Sequence, residues 1–568
     1  MTKIDNTKNF TMDRRSFLGG LFATGAVVGA GALAGCAPKQ SAAEALADTG
    51  AETVEWYEAP APIDDADIKE TINADLVIVG AGTSGIPAAL TAVEAGAKTV
   101  LLEKGETFFA APNWFGGVNS RYQKALGIEL DRSRIVNDLM WHGNHRADQR
   151  LINLWFDHSG EAVDWYGDEL EESGTLEFAL ETDAKDTGGL HISPSIGHVP
   201  VEKPYKEMQP NKMGTRLTHP VLMEKAVSLG LDVRYLTPAV QLVKEGDRVA
   251  GVIAQDANGN YLKFMAEKGV ILATGGYSAN RFLMEKLNPN QSQHLTEDPE
   301  DTGGDGFKMG VWAGGDYGRN AWVMHADRST EGGGWTPGSQ PWLRVNCKGE
   351  RFCNEDAPYD FGGNAGSMNP GNDWWNIFDA NYWEAMTQYH TTICSRMVPA
   401  PGAVCTTLVP TDADNFHEMY IAPQLEAGNM VQADTLEELA QLMQEKSPDI
   451  TVEQLKATLD RYNELCAKGE DEDFGKIGFR MVEVTKPPYY AMHMVTGMAG
   501  LAALDGLRIN TNIQVIDEQG NAIEGLYAVG NDQGGFYGMS YPWYYAGLHA
   551  GKNLTFARLA VKHALGLS

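Results

Sequence analysis

Residues 75–85 read Asp75-Leu76-Val77-Ile78-Val79-Gly80-Ala81-Gly82-Thr83-Ser84-Gly85. The unbroken apolar run Leu76-Val77-Ile78-Val79 specifies a short strand buried on both faces, and the glycines that follow it end the strand. A helical segment over 86–95 comes next, then a second strand over 98–102 that stops at Glu103. Such a βαβ unit is built to hold a dinucleotide. Gly80 makes the tight turn, Gly82 lets the backbone approach a pyrophosphate, Gly85 permits close helix–strand packing, and the helix start meets the phosphates. Glu103 stands where an acid hydrogen-bonds ribose hydroxyls, which turns a weak glycine pattern into a specific one.

The same grammar recurs twice. Gly269-Val270-Ile271-Leu272-Ala273-Thr274-Gly275-Gly276 is an apolar strand running into a glycine turn, and so is Gly525-Leu526-Tyr527-Ala528-Val529-Gly530-Asn531, which precedes a helical segment over 547–564. Three strand-to-glycine switches are expected to converge on one ligand. Between the second and third lies a stretch over 321–500 rich in Trp, Tyr, Asn and Pro, with helix starts at Thr435 and Thr451, each followed three residues later by Glu438 or Gln454. It reads as an inserted substrate-capping domain. The expected organisation is a leader over 1–36, a flexible linker over 37–73, a nucleotide-binding domain in two parts over 74–320 and 501–568, and the capping domain over 321–500.

The N-terminus reads as an export signal. Arg14-Arg15-Ser16-Phe17-Leu18 is a twin-arginine pattern ahead of a Gly/Ala-rich apolar segment, and this route carries folded, cofactor-loaded proteins. The segment ends in Leu33-Ala34-Gly35-Cys36. Two outcomes stay open there: a lipid anchor on Cys36 at the outer face of the cytoplasmic membrane, or ordinary cleavage after the leader. With a formal charge of −31, from 45 basic and 76 acidic residues, nucleic acid is excluded as a partner, because phosphate contacts need clustered Lys and Arg. Cys347, Cys353, Cys394, Cys405 and Cys466 form neither a disulfide framework nor Cys-x-x-Cys pairs, so no metal or haem site is expected.

Together the segments 80–85 with Glu103, 115–119 (Phe-Gly-Gly-Val-Asn), 273–276, 302–306, 349–355 and 525–531 resemble the fumarate reductase and 3-ketosteroid dehydrogenase flavoproteins from about residue 74 to 560. The resemblance implies an α/β fold, a Rossmann-like FAD-binding domain with an inserted α+β substrate-capping domain, and FAD as cofactor. It places Ser84, Glu103, Lys104, Gly116, Gly117, Val240, Thr274, Gly275, Asp305, Asn531, Ala546 and Gly547 around the flavin nucleotide, beside Gly80, Gly82 and Gly85. Position 531 is usually glutamate in the fumarate branch and asparagine in the steroid branch.

The substrate positions depart from the fumarate pattern. The donor arginine that follows Arg-Phe-x-Asn-Glu in that branch is here Tyr359, within Arg351-Phe352-Cys353-Asn354-Glu355-Asp356-Ala357-Pro358-Tyr359, and the second arginine is replaced within Ser540-Tyr541-Pro542-Trp543-Tyr544-Tyr545. Only His325 matches a family histidine. A dicarboxylate in a dry pocket needs fixed cations, so fumarate is not the expected substrate. The resemblance to 3-ketosteroid dehydrogenases and to cardiac glycoside reductases and related ene reductases of gut anaerobes implies two tyrosines at work, Tyr359 and Tyr541, with His325, Trp543 and Tyr545 lining the substrate. The expected reaction is reduction of an activated C=C bond of enone, unsaturated lactone or aryl-acrylate type, with Tyr359 as proton donor and Tyr541 polarising the carbonyl. No second nucleotide fingerprint is present, so electrons are expected from an external quinol-linked or multihaem cytochrome donor. Desaturation of a ring ketone, reduction of another organic acid, and a flavin-holding exported lipoprotein stand as alternatives; the sequence leaves direction, exact substrate and oligomeric state open.

Overall fold

The computed structural model describes residues 55–109, 114–182, 193–204, 215–278, 280–289, 303–318, 340–356, 359–389, 398, 410–495, 503–542 and 544–567. The leader, Cys36 and the linker up to residue 54 lie outside them.

In chain order, the elements that matter are β1 (Ile68–Val79), α1 (Gly85–Glu94), β2 (Thr99–Leu102), β3 (Phe115–Gly116), α2 (Arg132–His142), α3 (Gln149–Glu172), β4 (Leu176–Leu180), β5 (Gly197–Glu202), α4 (Thr218–Ser228) and β6 (Asp232–Arg234). They continue with β7 (Ala239–Glu245), β8 (Arg248–Gln255), β9 (Tyr261–Leu272), α5 (Asp305–Trp312), β10 (Leu343–Asn346), α6 (Tyr359–Ser367), β11 (Asp373–Asp379) and β12 (Met430–Ala433). Last come α7 (Leu436–Met443), α8 (Val452–Lys468), β13 (Tyr489–Val495), β14 (Gln514–Ile516), β15 (Ala522–Ala528) and α9 (Leu548–Leu565).

One large sheet runs β14-β15-β9-β1-β2-β6, with β8 and β7 branching from β9. Its centre, β15-β9-β1-β2-β6, is parallel. Leu76, Val77 and Ile78 are fully buried, as are Val270, Ile271 and Leu272. Each such side chain stabilises the fold by roughly 1.5–3 kcal/mol relative to leaving it in water. This is the mixed α/β architecture with a parallel sheet that the βαβ grammar implies.

Strand register explains the convergence of the three switches. Val79 pairs with Leu272 and Leu272 with Ala528, so the carboxyl ends of β1, β9 and β15 finish in one row. In parallel sheets ligands bind beyond that edge. Helix α9 is buried along most of its length, packs between α1 and α3, and lies against β3, where Gly116 N–H donates to Gly547 O at 2.7 Å. A second sheet, β10-β11-β13-β12, is antiparallel. One of its faces carries Trp374 and Phe378 with Met492 and Met494, and the other carries Trp375 and Ile377 beneath α7 and α8. The hydroxyls of Thr435 and Thr451 accept from Glu438 N and Gln454 N at 3.2 and 3.1 Å, so both helices start where the sequence says.

The folded body begins earlier than residue 74. β1 starts at Ile68 and pairs with β9 from Ile68↔Tyr261 to Ala74↔Ala266, while Trp56 stacks on Phe307 at 5.7 Å and accepts from Trp312 Nε1 at 2.9 Å through its carbonyl. Residues 68–73 are mostly exposed, so the ladder and not burial holds them, and no apolar pattern marks them in the sequence. No helix among the described residues is long and apolar enough to cross a membrane.

Candidate active site

The glycine turns beyond the strand ends are built for close approach. Gly80 has φ +105° and donates to Leu102 O at 2.7 Å. A Cβ on it would overlap the Ala273 carbonyl, and one on Gly85 would overlap the Gly80 carbonyl. Gly82 is different, since nothing lies within 4 Å of where its Cβ would be. That open space at the start of α1 fits a pyrophosphate. Glu103 is held ready beside it: Oε2 accepts from Ala81 N and Oε1 from Gly105 N, both at 2.8 Å. A carboxylate has about four acceptor positions, so about two stay available to ribose hydroxyls.

Several of the other residues expected to line the cofactor pack against one another or against this turn. Thr237 N, three residues before Val240, donates to Glu103 O at 2.9 Å, and Val240 itself sits at a bulge in β7. Lys104 Nζ is 3.7 Å from Asp305, the first residue of α5. Ser84 stands at the N-cap position of α1 without a side-chain capping bond, and a Cβ on Gly530 would come within 2.8 Å of its hydroxyl. Ala503 N donates to Asn531 Oδ1 at 2.9 Å. Gly116 meets the Ala546, Gly547 and Leu548 backbone so closely that a Cβ would clash, and Gly117 is packed equally tightly against Val163. No side chain caps α9 at Gly547. The positive end of the helix dipole favours negative charge placed there.

Two buried groups that carry no motif hold the turns together. Asp532 accepts from Thr274 N and Thr274 Oγ1 (the latter at 2.9 Å) and from Gly276 N at 3.1 Å, linking the second switch, with Gly275 inside it, to the third. Burial pushes its carboxyl up to about 6 despite these donors. Lys552 on α9 is fully buried and donates to Gly530 O at 3.0 Å and Gln533 Oε1 at 3.1 Å. Burial pulls its ammonium down to about 7. Asp532 follows directly on Asn531, and that adjacency is the one signal by which the sequence points to it.

On the substrate side, the segments bearing the two tyrosines meet through His142 at the end of α2. His142 Nε2 donates to Tyr541 O at 3.0 Å and lies 3.1 Å from Ser540 Oγ. Its ring stacks on Phe361 with centroids 5.0 Å apart, and Phe361 lies on α6, the helix that Tyr359 begins. Tyr541 is buried, with its ring 5.2 Å from Tyr537 and 6.3 Å from His549. Tyr544 donates to Asp356 O at 3.3 Å, joining the same two segments again. Tyr545 does not join them. It is 1% exposed and its hydroxyl donates to Asp138 Oδ2 at 2.9 Å, where burial pushes the phenol far up. His325, Trp543 and the side chain of Tyr359 lie outside the described residues. His142 has no sequence signal, because its partner is 399 residues away.

Beneath this region, Arg351 donates to Glu355 Oε1 and Oε2 at 2.8 Å and to Asp471 at 2.9 and 2.7 Å, with Lys476 Nζ 3.5 Å from Glu355. The Arg-Phe-Cys-Asn-Glu segment is therefore pinned by a buried charge network. Burial pushes Glu355 up, but Lys476 and Arg351 outweigh it and hold the carboxyl below its usual value.

The chain matches the FAD binding domain family over residues 75–542 and belongs to it. Its cofactor is FAD and it is an FAD-dependent oxidoreductase, related to fumarate reductase-like flavoproteins. It is 29% identical over 484 residues to a vinyl phenol reductase of Lactiplantibacillus plantarum, covering 82% of this chain and 91% of that one. With the digoxin reductase of Eggerthella lenta it shares 27% identity over 572 residues, covering 93% of each. In fold it is similar to the open conformation of a flavocytochrome c3 fumarate reductase, with a TM-score of 0.63 and 24% identity over 90% of this chain and 83% of that one.

Proposed function

We propose that the protein reduces a C=C bond conjugated to a carbonyl or carboxyl group in a substrate of enone, unsaturated lactone or aryl-acrylate type, and not a dicarboxylate. The observation that carries this reading is the meeting of the Tyr359 helix with the Tyr541 turn through His142, near the start of α9, which no side chain caps. The names of the vinyl phenol and digoxin reductases support an unsaturated organic acceptor.

FAD, when bound, supplies the hydride that reaches the β-carbon of the substrate. Tyr359 donates the proton to the α-carbon; a phenol with an ordinary pKa of about 10 is protonated at neutral pH and suits an acid better than a base. Tyr541 donates a hydrogen bond to the carbonyl oxygen as charge develops there. His142 fixes the Tyr541 backbone, so the donor is oriented before the substrate arrives. The buried aromatic rings of Tyr537 and Tyr541 offer apolar faces that exclude water.

Electrons come from an external quinol-linked or cytochrome donor, and the protein works in the cell envelope after twin-arginine export, with or without a lipid on Cys36. The test is anaerobic reoxidation of dithionite-reduced, FAD-loaded protein by a panel of fumarate, an aryl acrylate, a steroid enone and an unsaturated lactone. Reoxidation by a member other than fumarate is expected, with most turnover lost and FAD retained in Tyr359→Phe. Rapid reoxidation by fumarate alone, or full turnover in that variant, refutes the assignment.

A further inference from the structure

Arg344 on β10 stands apart from every other buried arginine described here. Arg351 is paired with Glu355 and Asp471, Arg480 with Asp356, and Arg558 with Glu161. Arg344 is only 4% exposed, yet it has no ion pair among the described residues, and its Nε and Nη1 atoms have no hydrogen-bond partner. The nearby acid is already taken: Glu355 accepts from the Arg344 backbone N–H at 3.4 Å, while its carboxylate is engaged by Arg351 and Lys476. Neither is Cys353 a counter-charge. Its thiol lies beside the guanidinium, but burial pushes it up to about 11, so it is neutral.

The position of this cation matters. Its guanidinium carbon is 5.3 Å from the centre of the Trp374 ring, and Trp374 Nε1 is a second buried donor with no partner. Nη1 lies against Gly362, where a Cβ would collide with it. Gly362 is one helical turn after Tyr359 on α6 and adjacent to Phe361, the residue stacked on His142. A buried cation without an anion is unfavourable unless a ligand completes it. Here it is placed against the first turn of the helix that frames the candidate site.

We propose that Arg344, with Trp374 Nε1 beside it, binds the carboxylate of an unsaturated aryl monocarboxylate and so sets the substrate class of the site, an inference that rests on the reductase reading above. One fixed cation suits one carboxylate, which separates an aryl acrylate from the dicarboxylates and from neutral lactones. The faces of Trp374 and Phe352, with ring centres 6.0 Å apart, provide the aromatic surroundings for the aryl group.

The test uses binding of non-reducible probes to FAD-loaded protein, followed by calorimetric titration and by melting temperature. The probes are 3-phenylpropionate and its neutral amide. Wild type is expected to bind the acid about 10-fold or more tighter than the amide, the discrimination typical of a charge-assisted contact. Arg344→Met is expected to bind the two alike, with full FAD content and a ligand-free melting temperature no lower than wild type, because it removes a buried charge that has no ion pair among the described residues. Arg344→Lys is expected to keep part of the preference. Equal binding of both probes by wild type, an undiminished preference in Arg344→Met, or a lower ligand-free melting temperature in that variant overturns the inference; the last assigns Arg344 a structural role. A protein that prefers the acid but reduces no member of the enone panel leaves the site standing and removes the reductase reading.

Discussion

Asp532 is a single buried carboxyl that ties two glycine turns together, and its titration is measurable. Its carboxyl titrates near 6 in the folded chain, against the usual 3.8, with burial the largest cause. A group whose folded pKa is raised binds more protons in the folded state across that window. Stability therefore falls as pH rises from about 4 to about 6. Each pH unit in the window is worth about 1.4 kcal/mol, so the group accounts for about 3 kcal/mol in all. Asp532→Asn removes this titration while leaving every other ionisable group in place. The stability difference between wild type and variant, from urea unfolding followed by tryptophan fluorescence at pH 4, 5, 6 and 7, is expected to shift by about 3 kcal/mol against wild type as pH rises. The constant offset from the altered hydrogen bonds to Thr274 and Gly276 drops out of that comparison. Parallel stability curves for the two proteins would refute the buried, partly protonated state of Asp532.

Two further outcomes follow from the same geometry. Gly82→Ala is expected to leave the melting temperature of FAD-free protein unchanged while reducing retained flavin, read as visible flavin absorbance, because its Cβ enters open space; Gly85→Ala is expected to lower the melting temperature, because its Cβ strikes the Gly80 carbonyl. Glu355→Gln strips a buried partner from Arg351 and Lys476 and is expected to cost about 3–5 kcal/mol in urea unfolding at pH 7. Since the folded Glu355 carboxyl lies below its usual 4.5, that deficit shrinks as pH falls below 4.5.

What the sequence made legible was what local pattern encodes. The runs 76–79, 270–272 and 526–528 are apolar enough to be read as buried strands, and the glycines after them mark turns, so the nucleotide half of the site is visible without coordinates. Register was not visible. That Val79, Leu272 and Ala528 end in one row depends on pairing between segments hundreds of residues apart. The substrate half was harder for the same reason. Tyr541 carries a family signal, but the His142 that orients its backbone does not, and the Asp138 that engages the Tyr545 hydroxyl is 407 residues from it. Arg344 sits in a strand among Trp342, Leu343 and Val345, where nothing in the local pattern distinguishes a solvated charge from a buried one.

The order of strands in the large sheet also bears on how the protein is made. β15 and α9 are supplied by residues 522–565, yet β15 lies directly against β9 and α9 against β3. A ribosome that has already delivered β1, α1 and β9 has made the phosphate turn but not the wall opposite it. The cleft beyond the strand ends thus gains its opposite wall only once residues 522–565 have been made, and β1, α1 and β9 cannot complete it by themselves.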